Sequence, residues 1–147
     1  MRITMTIGLP ASGKSTWAKQ YVRDNPGTIR FNNDEFSYMT TGWDDGRSFG
    51  PMDASYLALM RRTALEHAEA SDVDIVLDNT NLSPQATTEA IKAASSADIK
   101  YVYFEVDYLT CIERNTERGE PIPNNVIEKM AEQYNHLYDW IEYGEAT

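Results

Sequence analysis

The chain has 147 residues, 41% of them hydrophobic and 24% charged, with a formal net charge of −10 at pH 7. This length fits one domain over residues 1–147 with a single buried core. The acidic balance disfavours a surface for long nucleic acid, which is held largely by Lys and Arg on phosphates, and allows at most a short end in a local basic pocket. No apolar run approaches the ~20 residues needed to cross a bilayer. A strand pattern starts at once, so we expect no leader, no membrane partner and a cytoplasmic location.

Arg2 to Ile7 is an alternating, β-branched stretch and predicts a strand. It runs into Gly8-Leu9-Pro10-Ala11-Ser12-Gly13-Lys14-Ser15, with Thr16 following. This is the G-x-x-x-x-G-K-S pattern of a phosphate-binding loop. Gly8 and Gly13 are expected to supply backbone angles that side chains forbid, so that the loop N–H groups form an anion nest. In that pattern Lys14 reaches the β- and γ-phosphates of ATP, and the Ser15 hydroxyl is a ligand for Mg²⁺. Ser15 to Asp24, with Trp17, Ala18 and Tyr21 at helical spacing, predicts the helix that the motif requires.

Asn25-Pro26-Gly27 is a turn, and Thr28 to Phe31 a second short strand ending in Asn32-Asn33-Asp34-Glu35. Ligands of a parallel α/β sheet gather at the carboxyl ends of its strands. Asp34 and Glu35 therefore belong on the edge that carries the phosphate loop. Asn32, Asn33 or Asp34 can also cap a helix through Phe36 and Met39, a role compatible with catalysis. Thr40 to Met52 reads as a loop, in which Arg47 is the basic residue able to meet a substrate phosphate or to stay solvated.

A helix of about eighteen residues is predicted from Asp53. Its apolar stripe is Tyr56, Leu57, Met60, Ala64, Leu65 and Ala68, with Arg61, Arg62 and Glu66 facing outward and His67 on the surface. Val73 to Leu77 is a buried-type strand that ends in Asp78-Asn79-Thr80-Asn81. These four polar residues suit either a self-satisfied turn or a carboxylate linked to Mg²⁺ or substrate. Ser83-Pro84 starts a helix to about Ser96, and Ile99 to Val106 is a core strand. Tyr108 to Arg118 is helical, ended by Gly119, with Arg114 and Arg118 on one face. Cys111, the lone cysteine, excludes an intrachain disulfide and is expected as a small core residue. A last helix near Asn124 to Tyr143 carries an apolar stripe. Alternating strands and helices predict a three-layer α/β fold, a parallel sheet with helices on both faces and a short lid.

Phosphoryl transfer needs a phosphate cradle, a metal ligand, a group to orient the attacking hydroxyl, and cations for developing charge. Lys14 and the loop, Ser15, Asp34, and the pair Arg114 and Arg118 fill these places in turn. A carboxylate base points to a hydroxyl acceptor.

On these residues the chain resembles the 5′-hydroxyl polynucleotide kinases of phages and bacteria, over nearly its whole length. Gly8 to Ala18 is similar to that family's phosphate loop. Asn33-Asp34 looks like the segment holding its general base, which the resemblance assigns to Asp34. Leu77 to Leu82 looks like its apolar-Asp-x-Thr-Asn segment, implying acceptor positioning by Asp78, Thr80 and Asn81. Glu113 to Gly119 resembles its lid, implying donor-phosphate roles for Arg114 and Arg118. The resemblance implies an ATP- and Mg²⁺-dependent kinase for a DNA or RNA 5′ end, in repair or ligation. Two positions depart from it. Ser37 and Asn33 stand where the family commonly has arginine, which leaves Arg30 or Arg47 to compensate. No Asp-x-Asp-Gly-Thr phosphatase motif is present. A related kinase with another hydroxyl acceptor (a small metabolite, a nucleoside or a hydroxymethylated base) is the alternative. A non-catalytic nucleotide switch would be expected to lack Asp34 or the lid arginines.

Overall fold

A computed structural model describes residues 1–42, 54–119 and 122–144. Among the described residues four parallel strands form the sheet: β1 (Arg2–Gly8), β2 (Ile29–Phe31), β3 (Ile75–Leu77) and β4 (Asp98–Phe104), in the order β2-β3-β1-β4. The register sets Met5 beside Leu77 and Tyr101, and Gly8 beside Phe104. Every residue of β1 after Arg2 is buried. Ile3, Met5 and Ile7 point to one face, Thr4 and Thr6 to the other. Burial of both faces means that helices cover both, the arrangement of an all-parallel sheet. Thr4 and Thr6 are covered too, and Thr6 Oγ1 donates to the carbonyls of Asn79 (2.9 Å) and Leu77 (3.3 Å).

The helices are α1 (Lys14–Asp24), α2 (Asn33–Thr41), α3 (Ala54–Ala70), α4 (Pro84–Ala93), α5 (Tyr108–Glu117) and α6 (Asn124–Tyr143). Asn32 caps α2, its side chain accepting from the Glu35 N–H at 2.8 Å. Ser83 caps α4, with Pro84 in its first turn. The α6 bounds match the expected ones. The strands β2 and β3 are shorter at their starts, and α4 ends before Ala94. The core joins Ile3, Met5 and Ile7 of β1 with Leu65, Ile75, Leu77, Ala90, Ile127 and Leu137. Cys111 belongs to this core, fully buried. Among the described residues no helix is long and apolar enough to cross a membrane.

Candidate active site

The ends of β1, β2 and β3 open on one edge of the sheet, where the polar segments of the sequence meet. The loop from Gly8 to Gly13 links β1 to α1. Its two glycines serve different needs. Gly13 has φ +99° and open space around an added Cβ, so it is the residue needed for its backbone angle. Gly8 is absent from the positive-φ residues. A Cβ there would lie 2.9 Å from both Phe104 Cβ and Ser12 Oγ, so it is needed for space. The expectation that both supply unusual angles is corrected for Gly8. Leu9, Ala11, Ser12 and Lys14 are buried, Pro10 and Ser15 half-buried, and Thr16 exposed.

Lys14 is only 8% exposed. Its ammonium donates to the Leu9 carbonyl and to Ser12 Oγ (3.3 Å). Burial away from water brings its pKa down to about 8, against the opposing pull of Asp78, Cys111 and Asp34. Both carboxylates are thus within electrostatic reach of the buried ammonium. Asp34, on the first turn of α2, opens to solvent, yet its carboxyl is raised above the usual range. Partial desolvation is the main cause; Lys14 opposes it, and the carboxylates of Asp78 and Glu35 add to it.

Asp78 is fully buried at the end of β3. Its Oδ2 accepts from Arg30 Nε (2.8 Å) and NH2 (2.6 Å). Its Oδ1 has no hydrogen-bond partner among the described residues. Arg30 also clamps Glu35 through NH1 (2.6 Å) and NH2 (3.2 Å), and Lys19 meets the same carboxylate at 3.1 Å. Arg30 is thus held by two carboxylates. It ties α2 to β3. Two further bonds make the same tie: Asn32 Nδ2 donates to the Asp78 carbonyl (2.6 Å), and the Asn33 N–H to Asn79 Oδ1 (2.8 Å).

Asn81 adopts φ +50°. Its amide donates to the carbonyls of Thr6 (2.8 Å) and Leu77 (2.9 Å). Those N–H groups close the β1–β3 seam, in keeping with the backbone-satisfying turn that the sequence also allowed here. Thr80 is half-buried, and its carbonyl accepts from the Gly8 N–H at 3.3 Å. From α5, Arg114 NH1 donates to the Ala11 carbonyl at 3.0 Å, in the loop itself. Arg118, just after α5, lies close enough for its charge to depress Lys14. The structure therefore brings Lys14, Asp34, Asp78, Arg114 and Arg118 around one loop. Arg47 lies outside the described residues. Ser37 is fully buried, and its hydroxyl has no partner among the described residues.

Two arginines have partners that the sequence reading did not assign. Arg30 stands between apolar Ile29 and Phe31 on a strand, a position that itself signals a buried partner. Arg61 does not face outward. Its side chain is 21% exposed, and it donates to Asn33 Oδ1 (3.2 Å) and Glu89 Oε2 (3.3 Å). It sits four residues from both Leu57 and Leu65, which are buried, so helical spacing places it on the inner face.

Comparison with known proteins supports the fold. An AAA domain family model matches residues 3–137. An L-seryl-tRNA(Sec) kinase of Methanococcus maripaludis is 28% identical over 141 residues, 92% of this chain and 52% of that protein. A "putative bifunctional polynucleotide kinase/RNA ligase" of Autographa californica nuclear polyhedrosis virus is 25% identical over 90% of this chain and 20% of that protein. The chain thus spans about half of one relative and a fifth of the other. Among solved structures, a chain of the Pnkp1/Rnl/Hen1 RNA repair complex superimposes with a TM-score of 0.78 at 24% identity. That match covers 94% of this chain and 45% of the other.

Proposed function

Because the chain belongs to the AAA domain family and carries the parallel sheet and phosphate loop of a P-loop kinase, we propose that it is an ATP-dependent phosphotransferase whose acceptor is a hydroxyl. The 5′-OH of DNA or RNA is the acceptor we favour, reached by a small footprint. The observation that carries this reading is Asp34. It stands at the head of α2 with a raised carboxyl, within electrostatic reach of the phosphate-loop Lys14. In the step proposed, Asp34 accepts the proton of the acceptor hydroxyl as its oxygen forms a bond to the γ-phosphorus. The bond from that phosphorus to the β–γ bridging oxygen breaks, and ADP leaves with the electron pair. Lys14 and the loop N–H groups hold the β- and γ-phosphates, and Arg114 and Arg118 meet the charge that develops on them.

The residues present fit Mg²⁺. The Ser15 hydroxyl lies in the first turn of α1, and the buried Asp78 oxygen without a partner among the described residues supplies the acidic oxygen chemistry that this ion prefers. When bound, the ion neutralises phosphate charge. Asp34, Arg47, Asp78 and Thr80 are proposed on the acceptor side, and Asn81 as their structural support.

A second reading, a kinase for another hydroxyl compound, is favoured by the buried Ser37, which puts no cation on the acceptor side of α2. The relative named for L-seryl-tRNA(Sec) lends it weight. The test is transfer of labelled γ-phosphate from Mg-ATP to 5′-hydroxyl DNA and RNA oligonucleotides, nucleosides and hydroxymethyl-base DNA, side by side. Label at an oligonucleotide 5′ end that disappears in Asp34→Asn supports the favoured reading. Label on another acceptor alone replaces it with the second. Label on none refutes both.

A further inference from the structure

The strand β4 is an outer strand of the sheet. One side pairs with β1 from Asp98 to Phe104, and no described strand lies on the other. None of its residues is buried, in contrast to β1. Alternate main-chain N–H and C=O groups along its seven residues therefore face outward without a ladder partner among the described residues. Such a row is a template for one more strand.

A run of tyrosine rings leads from this strand onto α6. Tyr101 and Tyr103 stack with centroids 6.4 Å apart, and Tyr103 meets Tyr138 edge-on at 5.1 Å. Tyr138 continues the run to Tyr134 (6.4 Å) and Tyr143 (6.5 Å), and Tyr143 is 75% exposed. Carboxylates stand among the rings. Tyr103 Oη donates to Glu142 Oε1 at 2.6 Å. The charge of Glu105 acts on Tyr134 and Tyr138, and that of Asp139 on Tyr138. Burial first, and these carboxylates second, keep the hydroxyls of Tyr103 and Tyr134 protonated beyond the usual phenol range. None of these groups belongs to the site around the phosphate loop.

The chemistry selects the occupant. Tyrosine faces attract cations, and carboxylates bind guanidinium groups in a fixed fork. A second copy of this chain is a poor fit, because β4 against β4 would set Glu105, Asp139 and Glu142 beside their own copies. Alternate residues of an added strand share one face, so every second side chain would meet the rings. We infer that the outer edge of β4, with the tyrosines of α6, docks an extended segment of a partner protein that carries arginine or lysine at alternate positions. The main chain of the segment adds a strand to β4, and its cations lie on the Tyr103 and Tyr138 rings, beside Glu105 and Glu142.

The test measures binding of fluorescent peptides of about eight residues to the full chain, by anisotropy and without turnover. The probes are an alternating Arg-Val peptide, an alternating Glu-Val peptide, and an alternating Arg-Pro peptide, which has the charge of the first but cannot form a strand. Arg-Val is expected to bind at least about tenfold more tightly than either of the others. Tyr138→Leu and Tyr143→Ala should each weaken it about tenfold, and Glu142→Gln severalfold. Tyr38→Ala, at a half-exposed tyrosine of α2, should leave it unchanged. Thermal melts establish that each variant is folded. Hydrogen exchange should slow at those β4 amides that do not bond to β1. Equal binding of Arg-Val and Arg-Pro reduces the effect to charge and overturns the inference. So does binding of neither, binding unchanged in folded Tyr138→Leu and Glu142→Gln, or binding without protection of β4. A dimer of the free chain that dissociates in Tyr143→Ala overturns it as well, because a second copy then fills the edge.

Discussion

Replacing Lys14 by Met is expected to abolish phosphoryl transfer while making the nucleotide-free protein more stable at pH 7. The reason lies in the burial of the ammonium. Its pKa falls from 10.5 to about 8 on folding, chiefly through lost hydration. A shift of that size corresponds to about 3 kcal/mol of folding free energy at pH 7, at ~1.36 kcal/mol for each pH unit. Met keeps the length of the stem without the charge. It also gives up the bonds to Leu9 and Ser12, at about 1 kcal/mol each. The net gain at pH 7 is about 1 kcal/mol, or a Tm higher by about 2–4 °C.

The sign with pH follows from proton counting. Between the folded and unfolded pKa values the unfolded chain binds more protons, so wild-type stability rises with pH there. By pH ~9.5 only about 1.4 kcal/mol of the cost remains, and the variant's advantage shrinks by about 2 kcal/mol relative to pH 7. Denaturant titrations of both proteins at the two pH values measure this directly. A stability difference that stays constant between them would refute the desolvation argument. Mg-ATP should raise the Tm of wild type and leave Lys14→Met unchanged.

Other expectations concern the rest of the site. Asp34→Asn should lower transfer by about 10²–10⁴-fold with ATP binding retained. In wild type the acidic limb of kcat/KM should lie above the usual carboxylate range, because desolvation raises Asp34; a limb at the ordinary carboxylate position would contradict the base assignment. Above pH ~8 the kcat/KM for ATP should fall as the free enzyme's Lys14 loses its proton, whereas kcat should hold, since bound phosphates favour the ammonium. Arg30→Met leaves Asp78 buried without its cation and should cost about 3–5 kcal/mol, most of it returned by adding Asp78→Asn; equilibrium unfolding of the single and double variants checks this. Gly8→Ala pushes a methyl to 2.9 Å from Phe104 Cβ and Ser12 Oγ and should cost about 1–3 kcal/mol. Gly13→Ala meets only the angle penalty of about 1–2 kcal/mol, so a larger loss for Gly13→Ala would reverse the two roles.

The sequence by itself determined what short-range physics governs. Gly13 and Lys14 mark a turn into a helix, and Ser83-Pro84 marks a helix start, whatever lies across the fold. The periodic stripes of α3 and α6 need only their own spacing. The edge that gathers Asp34 and Asp78 near the phosphate loop was legible as well, because a parallel sheet sends the ends of β1, β2 and β3 to one side. Only the tertiary structure decided how polar side chains divide their bonds. Arg30 bridges Asp78 and Glu35, and Asn81 is spent on two carbonyls at the β1–β3 seam. Arg61 turns from solvent to Asn33 and Glu89. Each of these choices includes a bond between residues 28 to 75 positions apart, and a hydrogen bond's partner is set by whichever donor and acceptor the packed elements bring within about 3 Å. Gly8 shows the same division. Its place in the motif is written in the sequence, but its reason is the approach of Phe104 on the neighbouring strand, and only the assembled sheet creates that crowding.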